Sequence, residues 1–264
     1  MIVWGLGWAT VARAATVQEV AAAIATCGDG LVEPLPSLDV AQVGRLAVGE
    51  VVRVVLPNPD PDGASSAVGL AVLPGTLAEL WVAVQDPHAQ VDPSLTEFVI
   101  EQKGPDHAIW YGYLDLPRPI QDRQWMVEST NHHALAARTG NRCWEHNWRL
   151  VEQGVHDIGP LVARGEPRGL TGEHVAGAIY TPVNHGQWLL APLPGGTETL
   201  VVYQATSVIG GNIPAWLVLQ LTMSRLESGL LGAGARARDW APGHYRAGHE
   251  PLVGADGAVL ALFP

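Results

Sequence analysis

The region from residue 95 to residue 209 constrains the fold most, because its apolar and polar residues alternate with a period of two. Seven stretches show the alternation typical of strands with one buried face, and short turns join several of them. The predicted strands are 95–102, 107–116, 123–130, 142–152, 175–181, 187–193 and 199–208. So many strands with short connections predict an antiparallel sheet.

One long helix follows this sheet in the sequence. Asn212 is a favourable N-cap residue, and Pro214 falls in the first turn, where its missing N–H costs no hydrogen bond. Apolar residues then recur at helical spacing and predict a buried stripe. The stripe comprises Trp216, Leu219, Met223, Leu226 and Leu230. The sheet is its natural partner, so the pattern predicts an α+β fold in which this helix packs on the sheet.

The remaining predicted elements are few. Helices are expected over 15–26, near 37–47 and over 76–86, strands over 49–56 and 67–73, and a hairpin around the turn 254–257. Residues 153–172 show no clear period, and a connection of that length inside a compact domain is usually functional, such as an Ω-loop or lid. The sequence contains no internal repeat and no long linker.

Charge excludes some classes of partner. The formal net charge is −11, whereas nucleic-acid binding requires a basic surface. Electrostatic adhesion to anionic lipid is also disfavoured. A membrane contact would therefore be apolar.

The N-terminus and the two cysteines leave the compartment open. Residues 1–14 have the apolar run and the Ala12-Arg13-Ala14 site of a secretory signal, but no positive charge precedes the run. A periplasmic and a cytoplasmic location are both compatible with this. We expect Cys27 and Cys143 to be unpaired thiols, with a single disulfide as the alternative in an oxidising compartment.

Polar residues indicate which face of the sheet points outward. In 142–152, Glu145, Asn147 and Arg149 share one face, which leaves the other to aromatic and imidazole side chains. The outward faces of two further strands are indicated by Glu97 and Glu101 in 95–102 and by Glu128 in 123–130. The residues expected to point inward are Phe98, Ile100, Trp125, Val127, Ser129, Trp144, His146 and Trp148. This composition suits either the wall of a cavity for an amphipathic ligand or a helix-covered core with a few satisfied polar groups.

Motifs for catalysis or metal binding are weak. The H-E-x-x-H, C-x-x-C and G-x-S-x-G patterns do not occur. The glycine-rich stretch 232–237 fits a dinucleotide-binding pattern, but it lies at a helix end without a preceding strand. Residues 58–63 resemble the start of a calcium-binding loop but are more typical of a solvated turn. The pair His132-His133 has no further metal ligands at suitable spacing. We therefore expect no cofactor, no metal and no catalytic residue.

Two stretches carry a resemblance to a known family. DLPRPIQDRQW (115–125) resembles the D-x-P-x-P-x-x-x-R-D junction of START (StAR-related lipid transfer) domains, with Asp-Arg in place of Arg-Asp. GQWLLAPLPGGTETLVVYQATSVIGGNIPAWL (186–217) resembles the later signature of that family. The matching positions are Gly186, Trp188, Leu190, Pro192, Val201, Tyr203, Gly210, Gly211, Ile213, Pro214, Trp216 and Leu217. Ser207-Val208-Ile209 departs from the turn usual in the family.

The resemblance spans about residues 45–240 and implies a helix-grip fold of the Bet v 1-like superfamily. In that fold a curved antiparallel sheet wraps a long C-terminal helix around an internal hydrophobic tunnel. Residues 1–44 would then be an N-terminal segment and 241–264 an extension. The family binds one lipid and carries it between membranes, and the long loop and the helix form the mouth. In that loop, Ile158, Leu161, Val162 and Leu170 are expected to contact the bilayer transiently.

The same resemblance assigns the candidate ligand site. The lining side chains would be Phe98, Trp110, Trp125, Trp144, Trp148, Trp188 and Tyr203, with Ser129 and His146 as polar anchors and Trp216 closing the helix on the sheet. Arg123 would form an ion pair with Asp115 or Asp122, or reach a lipid phosphate. We expect a monomer that binds a phospholipid rather than a sterol, because the arginine-rich, lysine-poor composition indicates a bacterial gene and most bacteria lack sterols.

Two other functions stay open at this level. Related cavities in the superfamily host cyclases and hydrolases, in which His146 would act as a general base. A lipid-sensing scaffold is the third class.

Overall fold

The computed structural model describes residues 15–58, 64–85, 94–167, 169–211, 213, 215–246 and 252–260. The signal-like stretch 1–14, Asn212, Pro214 and the side chain of Trp216 lie outside the described residues, so the predictions for them stay predictions.

The structure is built on one nine-stranded sheet. Along the sheet the strand order is β1-β2-β9-β8-β6-β5-β4-β3, with antiparallel neighbours throughout, and short β7 pairs in parallel with β5. The strands are β1 Val52–Leu56, β2 Ser66–Pro74, β3 Leu95–Gly104, β4 His107–Leu114, β5 Arg123–Asn131, β6 Trp144–Leu150, β7 Ile179–Tyr180, β8 Val183–Pro192 and β9 Glu198–Val208. The predicted antiparallel sheet is confirmed.

Eight α-helices surround the sheet among the described residues. They are α1 Val17–Cys27, α2 Val40–Ala47, α3 Leu77–Gln85, α4 His133–Thr139, α5 Gly159–Ala163, α6 Gly172–Gly177, α7 Ala215–Ala235 and α8 Ala241–Arg246, with a π-helical turn, Arg236–Trp240, between the last two. The strand predicted over 175–181 is wrong for most of its length, because Thr171 caps α6 by accepting the His174 N–H. None of the described helices has the length and apolar character needed to cross a bilayer.

Helix α7 lies on the concave face of the sheet. Leu226 and Leu230 are fully buried over Gly69 of β2, where an added Cβ would come within 2.8 Å of Leu230. Arg53 of β1 pairs with Glu227 at 3.2 Å, and Arg225 donates to Ser94, directly before β3, at 3.3 Å. One helix therefore contacts both edges of the sheet, which requires the sheet to curve around it. This confirms the predicted α+β fold with its C-terminal helix.

The convex face is covered in two parts. Helices α1 and α2 pack over β1, β2, β8 and β9 through a cluster that includes Val20, Leu46 and Leu70. The α5–α6 segment packs over β3, β4 and β5. At the C-terminus, a bridge between Val253 and Val259 forms the predicted hairpin.

The expectation of two free thiols is wrong. Cys27, the last residue of α1, forms a disulfide with Cys143, the residue before β6, with the two Cα atoms 5.6 Å apart. The cysteines are 116 positions apart in sequence, so the pairing depends on the packing of α1 against the sheet.

We expect loss of this disulfide to lower the free energy of unfolding by about 2–5 kcal/mol, because a long loop in the unfolded chain is no longer closed. Denaturant unfolding of the wild type with and without reductant measures the loss. The Cys27→Ser/Cys143→Ser variant, which should not respond to reductant, is the control. Two titratable thiols in the oxidised, denatured wild type would contradict the pairing.

Candidate functional site

The concave face of the sheet presents a surface of aromatic rings. Register places Trp188 beside both His146 and Tyr203, and Trp148 beside Ser129. The Trp188 and Tyr203 ring centroids lie 4.3 Å apart, and those of Trp148 and Tyr203 lie 5.7 Å apart. These four strands thus bring together side chains that the sequence separates by up to about 70 positions.

Two glycines allow the tryptophan rings to lie flat on this face. A Cβ on Gly112 would come within 2.2 Å of the Trp125 ring. A Cβ on Gly186 would come within 2.5 Å of Trp148 and 2.2 Å of the Gln204 carbonyl oxygen. Both positions therefore exclude any larger residue.

Hydrogen bonds orient the polar atoms of the face. Trp110 Nε1 donates to Ser129 Oγ at 2.9 Å, and Trp148 Nε1 donates to Asn184 Oδ1 at 3.0 Å. His146 Nδ1 lies 2.8 Å from Asn131 Oδ1. An amide oxygen can only accept, so Nδ1 carries the proton and Nε2 is the acceptor of the neutral ring.

Charged groups reach this interior from two further elements. Glu97 of β3 lies opposite Gly112, on the face that carries Trp110 and Trp125. Arg236, at the start of the π-helical turn, donates from Nε to the Ala83 carbonyl oxygen at 2.8 Å. Burial raises the pKa of Glu97 to about 7, and Arg236 opposes that shift. Burial also lowers the pKa of Arg236, which Glu97 opposes.

Three polar side chains of the concave face are not fully covered by their neighbours. Glu97, His146 and Tyr203 each retain some accessible surface. Burial nevertheless raises the pKa of Tyr203, with a further contribution from Glu97, and lowers that of His146 to about 4. All three side chains are thus surrounded by protein yet partly accessible, as the side chains of a ligand-cavity wall between the sheet, the π-helical turn and α3 would be.

The predicted orientation of β3 is wrong. Phe98 points to the convex face, where its ring lies 5.3 Å from that of Tyr111, and Ile100 packs in the same cluster. A shift of register between Val99 and Glu101 separates the two glutamates that were expected to point outward together. Glu97 thereby faces inward, and Phe98 does not line the cavity.

Arg123 has neither of its two expected roles. Its guanidinium donates to the carbonyl oxygens of Gln121, Asp122, Ile209 and Gly210, and its side chain is 1% exposed. Asp122 instead accepts from the Leu116 N–H at 2.9 Å and from the Tyr113 hydroxyl. The 115–125 junction therefore ties the start of β5 to the segment after β9 and is structural.

The expected gating side chains point to the sheet. Ile158 and Leu170 are buried on the convex face with Tyr111 and Tyr113, and Val162 is partly buried beside them. Leu161 is half-buried. A cavity of about 500 Å³ opens between α5 and α6, on the side of the sheet opposite the aromatic face. In this conformation Ile158 and Leu170 are not available to a bilayer.

Trp144 belongs to the packed core rather than to the open surface. It is 5% exposed, and its ring meets that of Trp81 edge-on at 5.1 Å. Two residues next to this face, Trp81 and Arg236, are not predicted as site residues from the sequence. The apolar face of α3 indicates that Trp81 is buried, whereas the position of Arg236 depends on the π-helical turn.

The described residues contain no cluster of three or more His, Cys, Asp or Glu side chains able to hold a metal.

We expect Gly186→Ala to destabilise the protein by about 2–4 kcal/mol, because the Gln204 carbonyl cannot move without breaking the β8–β9 ladder. Gly229→Ala in α7 is the matched control. No atom lies within 4 Å of its added Cβ, so it should be neutral or stabilise by up to about 1 kcal/mol. Chemical denaturation checks both. Equal changes in the free energy of unfolding for the two variants would contradict the close approach of Gly186 to Trp148 and the Gln204 carbonyl oxygen.

Glu97 should make stability depend on pH. Because its pKa in the folded state lies above the ordinary value of 4.5, the folded protein keeps a proton that the unfolded chain releases. Stability should therefore fall as the pH rises from 4.5 to about 7. We expect Glu97→Gln to stabilise by about 1–3 kcal/mol at about pH 8 and hardly at all at about pH 4. Glu101→Gln, at an exposed position of β3, is the control, and an equal gain from both would refute the assignment.

Comparisons with known proteins bear on the fold. No family model matches the sequence, and no curated protein is significantly similar to it. Three of the solved structures with a similar fold are as follows. Human STARD10 has a TM-score of 0.59 at 11% identity, covering 90% of this chain and 84% of its own. A STAR-related lipid transfer protein from Xanthomonas axonopodis has a TM-score of 0.54 at 19% identity, with 72% and 94% covered. Human StAR-related lipid transfer protein 5 has a TM-score of 0.53 at 16% identity, with 83% and 95% covered. The chain therefore has the helix-grip fold of START domains.

Proposed function

We propose that the protein, as a monomer, binds one membrane lipid between the concave face of the sheet and α7. It would carry that lipid between membranes without altering it chemically. A phospholipid is the favoured cargo.

One observation carries this proposal: a group of aromatic side chains on the concave face of the sheet retains accessible surface. Trp110, Trp125, Trp148, Trp188 and Tyr203 are all half-buried there. An apolar wall with a few oriented polar groups suits a ligand that has a long apolar body and a polar end. A cavity that remained empty would forfeit the dispersion contacts of these rings.

Enclosure also explains why such a cavity suits transport. Each methylene group exposed to water costs about 0.8 kcal/mol, so an acyl chain crosses water only when it is covered. The similar structures support the same reading, since two of them are named as lipid transfer proteins.

The properties of His146 argue for binding over catalysis. Burial lowers its pKa to about 4, far from the range in which a general base accepts protons efficiently at neutral pH. Its Nδ1–H is already donated to Asn131, which holds Nε2 toward the interior as an acceptor. A neutral acceptor of this kind can bind a hydroxyl or protonated acid of a lipid.

We expect native mass spectrometry of the purified protein to show one bound lipid per chain, and fluorescence assays to show transfer of labelled lipid between vesicles. Absence of both co-purified lipid and transfer would exclude the proposal. Turnover of a candidate substrate that His146→Ala abolishes, with lipid uptake intact, would favour an enzyme instead.

A pair of aromatic variants tests the face of the sheet. Trp148→Ala should weaken lipid retention by about tenfold, because a wall contact of roughly 1–2 kcal/mol is lost. Phe98→Ala removes a partly buried ring on the opposite face and should leave retention unchanged. Circular dichroism establishes that both variants are folded.

A further inference from the structure

The π-helical turn after α7 places one half-buried cation, Arg236, near Glu97 of the concave face. A π-turn adds a residue to the helical repeat, and such turns are frequent at functional sites. Here the turn begins at Arg236, whose Nε is held by the carbonyl oxygen of Ala83 at 2.8 Å. Within the described part of the chain, the two terminal nitrogens of Arg236 donate no hydrogen bond. They are therefore available to a ligand.

We propose that the cavity selects an amphiphile with an anionic acid group, that the guanidinium of Arg236 binds this group, and that Glu97 competes with it for Arg236. This inference rests on the proposed lipid-binding function. It adds the charge of the ligand and a link between binding and protonation.

Charge balance explains the competition. An ionised Glu97 already offsets the charge of Arg236, and a second anion beside it would be repelled strongly at low dielectric. Binding of the anion therefore requires Glu97 to take up a proton from solvent. The raised pKa of Glu97, about 7, makes this proton available near neutral pH. A planar guanidinium is suited to bidentate contact with a carboxylate or a phosphate.

Among the described residues, the other titratable side chains on neighbouring elements are neutral, exposed or engaged elsewhere. Tyr203, across the cavity on β9, stays neutral because burial and Glu97 raise its pKa. His146 of β6 is neutral above about pH 4. Arg225 of α7 is exposed and bonds Ser94, and Glu101 of β3 is exposed. Arg123 is buried, but four carbonyl oxygens occupy it.

Isothermal titration calorimetry tests the inference with three single-chain probes below their micelle concentrations. Dodecanoate supplies a carboxylate, lauroyl lysophosphatidylglycerol a phosphodiester, and monolauroylglycerol a neutral head. We expect the affinity for the anions to fall about tenfold from about pH 6 to about pH 8, the change in the protonated fraction of a group with a pKa of about 7. Titrations in buffers of different ionisation enthalpy should show uptake of nearly one proton per bound anion at the higher pH. The neutral probe should show neither effect.

Variants separate the two charged partners. Glu97→Gln should bind the anions at both pH values as tightly as the wild type does at the lower one. Arg236→Met should lose the preference for anions while still binding the neutral probe. If only one of the two anionic probes binds, the inference is supported. The probe that binds then shows whether the acid group of the ligand is a carboxylate or a headgroup phosphate.

Two outcomes would overturn the inference, and they differ from failure of the proposed function. Anion binding by the wild type without pH dependence or proton uptake would contradict the competition, whether or not the variants fold. Equal affinity for the neutral and anionic probes would contradict selection by Arg236 while leaving lipid binding intact. Failure to bind any of the three would remove the proposed function itself.

Discussion

The structure depends on the contact between α7 and both ends of one curved sheet. Leu226 and Leu230 pack against Gly69 of β2, and the polar contacts of Arg53 and Arg225 reach edge strand β1 and the residue directly before edge strand β3. Once one helix bridges both edges, the central strands must arch away from it. Large aromatic side chains on their concave face are then partly buried and still retain accessible surface, which suits the wall of a ligand cavity.

Alternation along the strands assigns each covering element to one face. The concave face receives α7, and the convex face receives α1 and α2 at one end and the α5–α6 segment at the other. Disulfide Cys27–Cys143 anchors the first of these convex layers to β6. The same alternation separates two spaces, the aromatic interior and the opening between α5 and α6, whose walls have no side chain in common.

Much of this arrangement is readable from the sequence, because periodicity reports local geometry directly. The strands, the final helix and the inward orientation of His146 and Trp148 follow from it. Glu97 was misassigned since a carboxylate was expected to avoid the interior, and a register shift within β3 is invisible in a residue pattern. The sequence does not predict three features, for one common reason: the partner of Cys27, the partners of Arg123, and the face of the sheet that 153–172 covers. Each depends on contacts between segments far apart in sequence.

The central claim is that a lipid occupies the aromatic interior, and photo-crosslinking tests it most directly. A fatty acyl probe with a diazirine on its chain would be bound, irradiated and located by peptide mass spectrometry. The account predicts labelling of peptides that contain Trp148, Trp188 or Tyr203. Labelling confined to Ile158, Val162 or Val175, which line the opening between α5 and α6, would place the lipid on the wrong side of the sheet and contradict the account.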